Sequence, residues 1–99
     1  MSDMRLQFHA PGASQADAER GTAAALLFLQ RAGISPEEAI AGDRARATWG
    51  DSGLAPLHAP TPMESAAAEA LDGALESALM ACYRGRTAPL DAELRLVLV

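Results

Sequence analysis

The sequence predicts an α+β fold, mostly helical, with the element order β-α-α-α-β. Three observations carry this. Met4-Arg5-Leu6-Gln7-Phe8-His9 and Glu93-Leu94-Arg95-Leu96-Val97-Leu98-Val99 both alternate, the period of a half-buried strand. Between them stand three segments that open on Ser or Thr followed three residues later by an acid, the signature of a helix N-terminus. The rest is rich in alanine and leucine, good helix formers. With 99 residues the chain is read as one domain, 1–99, the two terminal strands in one small sheet packed on a central hydrophobic helix and a long third helix.

The first strand, 4–9, places Met4, Leu6 and Phe8 on one face, and Ala10-Pro11-Gly12 ends it. The first helix opens at Ser14, with Asp17 and Glu19 in its first turn where the helix dipole favours acids. It closes on Arg31 and Gly33, a residue suited to a left-handed cap. Its heart is Ala23-Ala24-Ala25-Leu26-Leu27-Phe28-Leu29. Such a run covers more of a helix than one stripe, so it is expected to be a core element with partners on two sides: the sheet and the Leu71-Leu75-Leu79 stripe of the third helix. Gly21, inside this helix, marks either a soft spot or a close approach of another backbone.

The second helix starts at Ser35-Pro36-Glu37-Glu38, with a cap serine, proline in the first turn and glutamate at the third helical position. It runs at least to Ala41. Residues 44–49 are read as its continuation, since alanine and arginine favour helix over strand; the alternative is a short strand with Ala45, Ala47 and Trp49 on one face, broken off at Gly42. Gly50 to Pro60 is a loop. Thr61-Pro62-Met63-Glu64 then opens a long helix that runs to about Arg84 and stops at Gly85. Its apolar face is Ala67, Leu71, Ala74, Leu75, Ala78, Leu79 and Cys82, and its wet face Ser65, Glu69, Asp72 and Glu76. The last strand sets Leu94, Leu96 and Leu98 against Val97 and Val99 on the opposite face.

Composition narrows the function classes. All eight basic residues are arginine, against thirteen acids, giving a net charge of −5. That disfavours nucleic acid and anionic membranes as partners, because both need a basic footprint. It suits solubility and basic partners. One cysteine allows no internal disulfide, so a reducing cytoplasm is the expected compartment. Residues 1–7 hold no long apolar core, so no signal peptide is expected. The longest apolar run, Ala23 to Leu29, is too short to span a bilayer.

No constellation points to a catalytic, cofactor or metal site. Glu69, Asp72 and Glu76 share a helix face, which is the ordinary arrangement of a solvated surface. His9, His58 and Cys82 lack the local spacing that holds a metal. Asp51, Ser52 and His58 lie near one another in the loop without the turn that presents a nucleophilic serine. The same Asp51-Ser52-Gly53-Leu54 is similar to the Asp-Ser-Leu of acyl carrier proteins, but Gly53 interrupts the motif and prolines follow, so no prosthetic group is implied. Arg84 and Arg86 suit the negative end of the third helix.

The reading that follows is a non-enzymatic accessory or protein-interaction domain, an acidic escort or chaperone-like protein. Its partner is itself, as a homodimer joined through sheet edges or long helices, or another protein. The expected contact residues are Met63, Met80, Tyr83, Val97 and Val99. The alternative is a small-molecule-binding domain or small enzyme that uses the 50–60 loop as a lid, with Ser52, His58 and Arg86 as its polar groups.

Overall fold

The computed structural model describes residues 4–50 and 61–98, and the side chains of 48–50 lie outside it. Strand β1 (Met4–His9) is followed by α1 (Gln15–Ala32), α2 (Pro36–Gly50), α3 (Pro62–Tyr83) and β2 (Glu93–Leu98). The two strands pair antiparallel, with Met4 opposite Leu98, Leu6 opposite Leu96 and Phe8 opposite Leu94. The predicted order and the small sheet are therefore both present. Residues 44–49 are helical, as the propensity of alanine and arginine requires.

The helix starts are where the sequence puts them. Ser14 Oγ accepts the Asp17 amide, and Ser35 Oγ accepts that of Glu38, both at 3.1 Å. Thr61 and Glu64 complete a reciprocal box, with Thr61 N donating to Glu64 Oε1 at 3.0 Å. Gly33 caps α1 in the left-handed region. The end of α3 differs by one residue from expectation. Arg84, not Gly85, is the first left-handed residue, with φ 46, and Gly85 follows it with φ 87. The reason is that Arg84 N bonds Met80 O at 3.1 Å, which closes the last turn and leaves Gly85 to complete the reversal.

Helix α3 lies between the other two, and α1 and α2 barely touch each other. The close packing depends on small residues. A Cβ at Gly42 would come within 2.5 Å of Glu64 O and 2.8 Å of Ala67 Cβ. Gly42 therefore breaks nothing: α2 passes through it, and it is the point where the α2 and α3 backbones meet. At Gly21 a Cβ would come within 2.7 Å of the Phe8 ring and 3.1 Å of Ala78 O, so both a side chain and the α3 backbone approach there.

Gly42 faces Glu64 and Ala67, while Arg46, one turn on, reaches Asp72. So α2 and α3 run the same way.

Leu6, Phe8 and Leu94 of the sheet join Ala25, Leu29, Ala39, Leu71, Ala74, Ala78, Cys82 and Tyr83 in the core. Leu75 and Leu79 are partly buried against it. Both partners expected for α1, the sheet and α3, are present, but they do not cover the whole apolar run. Ala25 and Leu29 are fully covered, but Leu26, Leu27 and Phe28 are 41%, 46% and 37% exposed. The run has partners on its sheet and α3 sides only, and with α2 set apart nothing in the described chain closes the remaining arc.

Candidate interaction surface

The sheet meets α1 through one side chain. Thr22 Oγ1 accepts the Phe8 amide at 3.1 Å and donates to Ala18 O at 3.0 Å. A β-strand amide is thus spent on a helix rather than on a neighbouring strand. Amides alternate in direction along a strand, so Phe8, Leu6 and Met4 share one direction, away from β2. The outer edge of β1 consequently presents the Leu6 and Met4 backbone groups.

Beside this edge runs a groove of about 640 Å³. One wall is Met4 to Phe8; the other is the α1 face of Ala18, Glu19, Thr22, Ala23 and Leu26. The short turn after His9 reverses the chain, so α1 runs back along β1. Thr22 is level with Phe8, Leu26 lies towards Leu6, and Glu19 stands beyond Phe8. Its apolar lining includes the exposed Met4, Ala23 and Leu26. Its charged groups, Arg5 and Glu19, are exposed. Gln15 Nε2 donates to Glu19 Oε1 at 3.2 Å.

The contact residues expected from sequence are scattered. Met63 and Met80 are open, at 78% and 69% exposure. They stand near opposite ends of α3, about 25 Å apart at ~1.5 Å per residue, so they form no common surface. Met63 borders a small hollow with Glu38 and Ala41. Tyr83 is not a surface residue: it is 4% exposed, its hydroxyl donates to Pro11 O at 2.9 Å, and its ring meets Phe8 edge-on at 6.4 Å. Burial pushes its phenol above the ordinary value. Val97 is half-buried, and Val99 lies outside the described residues.

Of the loop candidates, Ser52 and His58 also lie outside the described residues. Arg86 folds back onto the end of α3. Its Nε donates to Tyr83 O at 3.1 Å, its guanidinium sits 5.6 Å from the Tyr83 ring centre, and Nη2 approaches Asp17 at 3.4 Å. Arg20 does the same from α1, donating to Ala81 O at 3.0 Å and pairing with Asp17. Two arginines thus cover the terminal carbonyls of α3, where the helix dipole is negative. Cys82 is buried behind them, and burial pushes its thiol up.

Glu69, Asp72 and Glu76 are all exposed, and Asp72 is engaged by Arg46 rather than left to a ligand. Among the described residues no group of three His, Cys, Asp or Glu side chains comes together, and no helix is long and apolar enough to cross a membrane. His9 Nδ1 lies 2.9 Å from Arg95 Nη2 on the outer face of the sheet.

Sequence reasoning did not single out Met4, Ala23 and Leu26 as a surface. The signal was present: an apolar run wider than one stripe, next to a strand that has only one neighbour. No family model matches the chain, and neither a curated protein nor a solved structure matches it.

Proposed function

We propose that this chain is a non-enzymatic protein-interaction domain that acts as a homodimer, with an accessory or escort role towards other proteins. One observation carries the reading. The apolar run Leu26-Leu27-Phe28 stays more than a third exposed in a chain whose core is otherwise built from alanines and leucines. Three consecutive large apolar residues at the surface form the kind of contiguous patch that a protein partner covers. Leu26 of this run also lines the groove beside the outer edge of β1. The acidic balance of the chain keeps such a surface soluble and favours basic partners.

Light scattering across a concentration series, combined with a pull-down, tests this. A mass of two chains is the expected result. A strict monomer at high concentration that also retains no partner would sink the proposal.

A further inference from the structure

We draw no further inference here: the strongest candidate, the groove between α1 and the outer edge of β1, carries nothing because Thr22 already holds the Phe8 amide of that edge and nothing in the structure shows what covers the exposed Ala23 and Leu26 beside it.

Discussion

At Gly42 a single hydrogen decides how near two helices can lie. Replacing it with alanine would normally help a helix by up to ~1 kcal/mol. Here the new methyl meets Glu64 O and Ala67. Gly42→Ala should cost about 2–3 kcal/mol as the helices are forced apart. Urea unfolding measures it, and a gain in stability would show that α2 and α3 do not approach as described. Cys82 offers a second prediction at this scale. Burial raises its folded pKa above the unfolded value of about 8.5. The native state therefore holds the thiol proton more tightly, so the contribution is complete below that value and is lost as pH rises above it. Thermal melts should show stability falling as pH climbs past about 8.5, with the initial fall missing in Cys82→Ala. The exposed fate of Leu26, Leu27 and Phe28 could not be read from residues alone. Periodicity states how much of a helix is apolar, not how many neighbours the chain can bring to it.

Between elements, the contact most open to measurement joins α2 to α3. Arg46 donates to both oxygens of Asp72, at 2.7 and 3.0 Å, and also to Asp43. Arg46 holds the Asp72 carboxyl below the usual carboxylate range. Both side chains are about half exposed, which limits the pair to about 0.5–1 kcal/mol. The sign follows from the lowered pKa: the contribution is present above the unfolded value of about 3.9 and lost as pH falls through the folded one. Asp72→Asn should thus lower the melting temperature near neutral pH, with the gap to the parent closing in acid and narrowing in high salt. Helix starts were legible in the sequence because each cap is local: Ser14, Ser35 and Thr61 bond amides three residues on. The Arg46–Asp72 pair and the Thr22–Phe8 bond were not legible. They join distant stretches, and which stretches meet depends on the directions of whole helices.

For the molecule as a whole, the architecture was readable because two alternating segments at the ends and three capped segments between leave few arrangements. The candidate surface was readable only in part. The sequence suggested contact through a sheet edge or a long helix; the structure gives β1 a single strand neighbour, β2, among the described residues. Tyr83, offered for contact, and Arg86, offered as a polar group of the loop-lid reading, both secure the end of α3. Light scattering across a concentration series decides whether two copies join.

The pairing of the first strand with the last has a mechanical consequence. Met4 stands opposite Leu98, and each further rung brings residues from near opposite ends of the chain side by side. Tension applied between Met4 and Leu98 falls on one rung at a time, beginning at the open end, and peels the strands apart before any helix bears load. The sheet is therefore the weak clasp of the molecule. A tether on both ends would release Phe8 and Leu94 from the core by opening that clasp, while the caps and close helix contacts remain in place.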